Sequence, residues 1–361
     1  NFHFCTMMNV RNEQLGGMHM KCVAVGDMFL SEEAFARVLK HHALFCSYHG
    51  FSWKADLDRV STRTLIRKIE TKGSEAYAVE GELKEAMLDA DVIFIHMCPV
   101  GKDIIEQAPH LKYIVTARGG VENIAVESAK KKGIRVIHCP MHNAFAVAEL
   151  TVGLMICETR NVTRADRSLR EGIWRESYPN TGSIRELRSM TVGLIGFGAI
   201  GQLVAQRLQP FGCSIMVHDP YLDASVIERL GCIAVDKKTL LQESDIVSLH
   251  GRIGPNDPPI IGREELKLMK PVSYLINTAR AVLVDMPALE EALQNGSIMG
   301  AAIDVFPKEP LTKEDAVVQL DNCTLTNHRG GDTLDSYERS PELLLEQLQE
   351  AVQTGHTKYM I

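Results

Sequence analysis

Residues 191–208, TVGLIGFGAIGQLVAQRL, set three glycines between a run with strand character and a run with helical spacing. No other feature limits the fold as strongly. Gly196-x-Gly198-x-x-Gly201 between a strand and a helix is the phosphate turn of a doubly wound α/β unit. Gly196 permits the tight turn, Gly198 leaves the backbone open to a pyrophosphate, and Gly201 brings helix and strand close. The apolar run Thr191 to Ile195 precedes the turn, and Ile200, Leu203, Val204 and Leu208 repeat at helical spacing after it. The helix N-terminus offers free N–H groups, chiefly those of Ala199 and Ile200, with a partial positive charge. The next strand-like run, CSIMVHD, ends at Asp219. A carboxylate there accepts hydrogen bonds from an adenosine ribose and repels a 2′-phosphate, so the cofactor expected is NAD rather than NADP.

The same alternation runs through the rest of the chain. KCVAVGD, DADVIFIHM, LKYIVTA and GIRVIHC read as strands, with SEEAFARVLKHHAL and GELKEAMLDA as helices between them. That order argues for parallel βαβ units. Residues from Asn143 through AFAVAELTVGLMICETRNV are apolar on nearly every face, which predicts burial on more than one side, at a domain or subunit boundary. After the polar stretch 163–190 the alternation restarts at Thr191 and reaches about Thr326. In the tail, SPELLLEQLQEAV, Ser340 is expected as N-cap and Pro341 at the first helical position. Leu344, Leu345, Leu348 and Val352 then form one apolar face, a helix too small to fold alone that packs back on the first domain. A chain of 361 residues has room for two domains. Residues 1–19 show no such periodicity and read as a leader or a disordered arm.

Several functions are disfavoured by composition. The net charge is −7 and the lysines and arginines are scattered, so nucleic acid is not expected as a partner. Nine cysteines form no CxxC pair and suit free thiols in a reducing cytoplasm. HCPMH at 138–142 has the spacing of no common zinc site, so no metal is expected. No apolar run is long enough to span a membrane, and the first residues lack the basic and apolar regions of a signal peptide.

LINTARAVLVD, residues 275–285, sets a different problem. An apolar run breaks at Asn277-Thr278-Ala279, presents Arg280, and resumes at Val282. Arginine is rarely buried without a partner, so Arg280 faces either a structural carboxylate or an anionic ligand. Asp304 and Glu309 in GAAIDVFPKEPL, and His328 in CTLTNHRGGDT, also follow apolar runs. In an open parallel sheet, ligands bind at the carboxyl ends of strands.

From about Leu111 to Thr333 the sequence resembles the D-isomer-specific 2-hydroxyacid dehydrogenases, on the motifs TVGLIGFGAIG, HDPY, INTAR, GAAIDVF–EP and NH–GG in that order. The resemblance implies an α/β fold of two Rossmann-like domains. A discontinuous, flavodoxin-like substrate domain would comprise 20–143 and 330–361, and an NAD-binding Rossmann domain 144–329. It implies a homodimer, and a 2-hydroxy or 2-oxo acid as the small-molecule partner. Carried over by position, Arg280 would hold the substrate carboxylate and carbonyl, a task its planar fork suits. His328 would be the acid/base, giving a proton to the carbonyl oxygen as hydride arrives. Glu309 would pair with His328 and keep imidazolium available near neutral pH. Asp304 would orient the nicotinamide, assisted by Thr278 and Ala279, with Arg280, His328 and Gly330 also lining the cofactor. Arg118, Gly119 and Gly120 would offer backbone N–H groups to the carboxylate.

The sequence also departs from the family pattern. The loop that begins ARGGVEN is about two residues short, Ala281 stands where glycine is usual, and Arg252 and Arg329 replace a proline and an apolar residue. Both arginines add positive charge, which fits a substrate with a second anionic group, such as a phosphorylated or sugar-derived acid. Two rival readings are formate dehydrogenase and an NAD-sensing, corepressor-like binding module. Glu309 argues against the first, whose site is expected to pair glutamine with histidine. The second lacks any basic or tail-like segment here.

Overall fold

A computed structural model of the protein describes residues 19–254 and 257–361. The expectation for the N-terminal arm concerns residues 1–19, of which 1–18 lie outside the described residues. The chain forms two compact units. Unit 1 comprises the described residues up to His142 and Thr333–Ile361, and unit 2 spans Asn143–Asp332.

In unit 1 the strands β1 (Met20–Gly26), β2 (Phe45–Ser52), β3 (Val92–Ile95), β4 (Tyr113–Thr116) and β5 (Arg135–His138) form one sheet in the order β2-β1-β3-β4-β5. Every pairing is parallel. This is the flavodoxin-like order, whose connections change direction between β1 and β3. Alternate residues serve opposite faces. Ile93 and Ile95 enter one apolar cluster with Val23, Ile114 and Val136, while Val92 and Phe94 enter another with Phe35, Val115 and Ile137. The central strands are buried on both sides, which is why they read as continuous apolar runs.

β2 is the strand that patterning does not reveal. Its sequence, FCSYHGFS, sits at the sheet edge, is partly exposed along its length, and has no apolar alternation to mark it. The tail helix Ser340–Thr354 packs Leu344, Leu345 and Leu348 into the cluster around Phe35 and Phe94. Its start differs from expectation. A short helix, Leu334–Glu338, runs almost directly into it, so Ser340 is not the N-cap; its hydroxyl donates to the Ser336 carbonyl at 2.8 Å instead.

Unit 2 holds β6 (Thr191–Ile195), β7 (Ser214–His218), β8 (Ile233–Ala234), β9 (Ile246–Leu249), β10 (Tyr274–Asn277), β11 (Gly300–Ile303) and β12 (Cys323–Leu325). They form a parallel sheet in the order β12-β11-β10-β9-β6-β7-β8, a Rossmann arrangement extended by one strand. Asn277, Ile303 and Leu325 are laterally aligned, so the segments after β10, β11 and β12 leave the same edge side by side.

The apolar run after Asn143 is the helix Ala144–Thr159. The helix Val162–Arg170 follows it inside the stretch that reads as merely polar, and the break between them is Asn161 at φ 56°. Its Arg164 pairs with buried Glu158 at 2.5 Å, and Glu158 accepts from the N–H and hydroxyl of Thr324 on β12 at 3.1 and 2.6 Å. Arg164 thereby satisfies a buried charge that ties β12 to the long helix. Removing one partner from such a pair costs about 3–5 kcal/mol. Arg164→Ala is therefore expected to lower the unfolding midpoint sharply in urea, and an unchanged midpoint contradicts the assignment.

Candidate active site

The glycine turn after β6 divides its tasks among three positions. Gly196 has φ +94°, and a Cβ there would stand 2.5 Å from the Gly251 nitrogen. A Cβ on Gly201 would meet the Gly196 carbonyl oxygen at 2.4 Å, so the helix packs against the turn itself. At Gly198 nothing lies within 4 Å of where a Cβ would be. Gly198 caps the helix Ala199–Leu208 without a side-chain acceptor, which leaves first-turn N–H groups for an anion. Asp219, just beyond β7, accepts from the Phe197 N–H at 2.7 Å and the Tyr221 N–H at 2.9 Å, fixing its carboxylate beside the turn. His250 follows β9 behind the turn; burial pushes its ring down to about 4, so it adds no charge at neutral pH. The cradle fits a dinucleotide whose phosphates are read by backbone N–H groups and whose ribose meets Asp219.

These differences separate two variants. Gly196→Ala forces a left-handed backbone and a clash with backbone atoms, costing about 1–3 kcal/mol or more, so its thermal midpoint should fall. Gly198→Ala meets no atom of the protein and keeps its midpoint, yet should weaken NADH about tenfold or more by crowding the pyrophosphate. Equal NADH affinity in wild type and Gly198→Ala, measured by fluorescence titration, contradicts this role.

After β10 the backbone is shaped by Asn277, which in the sequence marks only a break in the apolar run. Its buried side chain donates to the Arg280 carbonyl at 2.9 Å and accepts from the Ala279 N–H at 3.1 Å. An asparagine closing a turn on its own backbone is the available sequence signal. Thr278 shares a 2.7 Å hydroxyl hydrogen bond with Thr151 on the long helix. Arg280 is exposed, with Nη1 donating to the Ala279 carbonyl at 2.8 Å. The arginine therefore lies beyond the buried strand, at its carboxyl edge.

Asp304, one residue past β11, is fully buried. Its Oδ1 accepts from the Thr326 hydroxyl at 2.6 Å and the Arg329 N–H at 2.8 Å, and its Oδ2 from the Gly330 N–H at 2.9 Å. Three donors from one loop converge on it, so Asp304 fastens the segment that presents His328. Space at Gly330 is tight, since a Cβ would approach Asp304 Oδ2 to 3.0 Å and Val147 to 3.4 Å. His328 takes φ +57°, a left-handed conformation uncommon outside glycine and asparagine that the fastened loop must sustain. Its Nδ1 lies 3.0 Å from Glu309 Oε2, while Glu309 Oε1 accepts from the Phe306 N–H at 3.0 Å. An ionised carboxylate is an acceptor only, so Nδ1 carries the hydrogen and Nε2 is the atom left for chemistry.

Arg118, Gly119 and Gly120 follow β4 in unit 1. The buried Arg118 guanidinium donates to the Met97 sulfur at 3.2 Å and lies 3.3 and 3.5 Å from Glu122 and Glu70. Among the described residues neither the Gly119 nor the Gly120 N–H has a hydrogen-bond acceptor. Of the two arginines that depart from the family pattern, Arg252 is exposed, but Arg329 pairs with Asp332 at 2.9 Å. That ion pair already answers the Arg329 charge and weakens the case that it recognises a second anion. Among the described residues no cluster of side chains could hold a metal ion, and no helix is long and apolar enough to cross a membrane.

Residues 152–330 match the family model for the NAD-binding domain of D-isomer specific 2-hydroxyacid dehydrogenases. The chain is 40% identical over 274 residues to a D-3-phosphoglycerate dehydrogenase of Methanocaldococcus jannaschii, covering 75% of this chain but 51% of the relative, so it spans about half of that protein. It is 38% identical over 295 residues to a hydroxypyruvate reductase of Thermotoga maritima, covering 81% of this chain and 94% of the relative. Among solved structures, TT0316 protein from Thermus thermophilus superposes with a TM-score of 0.68 at 30% identity, over 93% of this chain and 97% of that one.

Proposed function

The chain belongs to the D-isomer-specific 2-hydroxyacid dehydrogenases, NAD-dependent oxidoreductases acting on 2-hydroxy and 2-oxo acids, and we propose that Arg280, Glu309 and His328 carry out that interconversion here. The carrying observation is the 3.0 Å contact of His328 with Glu309 at the sheet edge that also presents Arg280. NAD, when bound, supplies or accepts the hydride. Gly198, Ala199 and Ile200 would hold its phosphates and Asp219 its ribose, with Thr278, Ala279 and Asp304 beside the nicotinamide.

Arg280 grips the substrate carboxylate with its guanidinium and so orients the adjacent carbonyl. His328 donates its Nε2 proton to the carbonyl oxygen in reduction and removes it in oxidation. Glu309 holds Nδ1–H, which sets the ring's orientation and turns Nε2 to the substrate. Asp304 keeps the loop, and with it the ring, in place. Arg118, Gly119 and Gly120 provide further donors to the acid. The reading extends to a cytoplasmic homodimer. Free thiols at every cysteine among the described residues support a reducing compartment. Exposed Leu169, Ile173 and Trp174, the last 80% exposed, support a covered face.

The test is oxidation of NADH across a panel of 2-oxo acids, led by glyoxylate, hydroxypyruvate and the phosphorylated acid handled by phosphoglycerate dehydrogenases. NADH should be consumed with at least one of them, and NADPH far more slowly because of Asp219. Faster turnover with NADPH than with NADH contradicts the role given to Asp219.

A further inference from the structure

Unit 2 carries a second recess, at the end of its sheet away from the glycine turn. This cleft has a volume of about 250 Å³ and is rimmed by Arg160, Arg185 and Arg188. Leu187 and Arg188 lie just ahead of β6 and Phe211 just ahead of β7, which puts the cleft at the amino edge of these strands. The glycine turn and Asp219 follow the same two strands, at the carboxyl edge. β6 is five residues long, so the two edges stand about 17 Å apart. No step above uses a residue of this cleft.

Its floor is apolar. Ile156 is half-buried on the last turn of the long helix Ala144–Thr159, and Leu187 enters the apolar cluster that holds Val192 and Leu194 of β6. Phe211 stays 43% exposed beside them. A large apolar side chain left open at a recess suits contact with the apolar part of a ligand. The rim is more cationic than the protein itself answers. Among the described residues the Arg160 guanidinium has no hydrogen-bond or ion-pair partner. Arg185 lies 3.2 Å from Asp245, but that carboxylate also accepts from Lys270 at 3.1 Å and from the Thr191 N–H at 2.8 Å. Arg188 meets Glu186 at 3.5 Å with both side chains exposed, a pairing worth little in water. Counted together these are four cations to two carboxylates, in a chain whose net charge is −7. The C-terminal end of the long helix carries roughly half a negative unit charge, which offsets part of one cation. An anion in the cleft relieves the repulsion that remains.

We propose that this cleft is a second binding site, for a small organic anion made of one oxyanion group on a short apolar body. Guanidinium forks suit a carboxylate and a phosphate alike, so that chemistry is common to both. Size narrows the class. The cleft has room for about eight water-sized groups, which fits an aryl or short acyl body and is far too small for a dinucleotide. The site lies within unit 2 and does not depend on the reaction assigned to Arg280, Glu309 and His328.

The test uses the full chain in phosphate-free buffer with saturating NADH, so that the dinucleotide cradle is filled. Phenyl phosphate, benzoate and inorganic phosphate are titrated calorimetrically. Phenyl phosphate or benzoate should bind with a Kd at or below about 1 mM, and the tighter of the two identifies the oxyanion. Inorganic phosphate leaves the apolar floor empty and should bind about tenfold more weakly or worse. Arg160→Gln changes an exposed side chain without a partner, so it should fold normally and weaken the organic anion about tenfold. Should it fail to fold, Arg188→Gln carries the same expectation. Arg280→Gln should bind the organic anion as the wild type does. Failure of both organic anions to bind overturns the proposal. Binding unchanged in a folded Arg160→Gln, or lost in Arg280→Gln, overturns it as well, and so does inorganic phosphate that binds as tightly as phenyl phosphate. Arg160-dependent binding by a protein that turns over no 2-oxo acid supports this site and counts against the enzymatic reading alone.

Discussion

In the Arg280→Gln variant, kcat/KM for a 2-oxo acid is expected to fall by about 10²–10³-fold while NADH affinity stays within about twofold of wild type. Removing one partner of a charge-assisted pair costs about 2–5 kcal/mol, and at 1.4 kcal/mol per factor of ten the middle of that range, about 3–4 kcal/mol, gives this drop. Arg280 is exposed beyond β10, and the Asn277 side chain closes the turn beneath it through two backbone hydrogen bonds. The variant should therefore fold and bind dinucleotide normally. Arg280→Lys tests the same idea from another side: it keeps the charge but loses the planar fork, and should recover only part of the activity. A glutamine variant that retains wild-type kcat/KM returns Arg280 to a structural role.

His328→Asn carries the other large effect, an expected drop of about 10²–10⁴-fold in kcat, the usual contribution of a positioned acid/base. Asparagine tolerates the positive φ of this position better than most residues, so the loop should keep its shape. Glu309→Gln isolates the partner. The carboxylate holds Nδ1 and so fixes the direction in which Nε2 points, and its removal should lower kcat for reduction about tenfold or more while NADH affinity stays unchanged. An unchanged kcat, in a variant that folds, means that Glu309 does not act through His328.

How much of this was legible in the chain depends on the distance over which each feature is determined. The central strands announce themselves because burial on both faces demands short apolar runs, as in VIFI and IVSL. The glycine turn is legible because its three requirements fall within six residues, and the structure separates them as a left-handed backbone, an open face and a close packing contact. β2 was silent, since an edge strand partly exposed to water needs no apolar signature. The helix Val162–Arg170 was hidden by its charges; that Arg164 is buried depends on Glu158 and, through it, on Thr324. Ser340 had the right residues for a cap, but the preceding short helix changed its task.

The site shows the same division. Arg280, Glu309 and His328 could be picked out by residue type at strand ends, whereas the fastening role of Asp304 rests on donors more than twenty residues away in sequence.

The most direct test of the central claim follows a labelled hydrogen. The wild-type protein is incubated with NADH deuterated at the transferable position and with the 2-oxo acid that consumes it fastest, and the product is examined by mass spectrometry and NMR. Hydride transfer to the carbonyl carbon predicts a 2-hydroxy acid with one deuterium at C2, formed in step with the loss of NADH and abolished in Arg280→Gln. NADH that binds tightly but is never oxidised, or a product without deuterium at C2, contradicts the account.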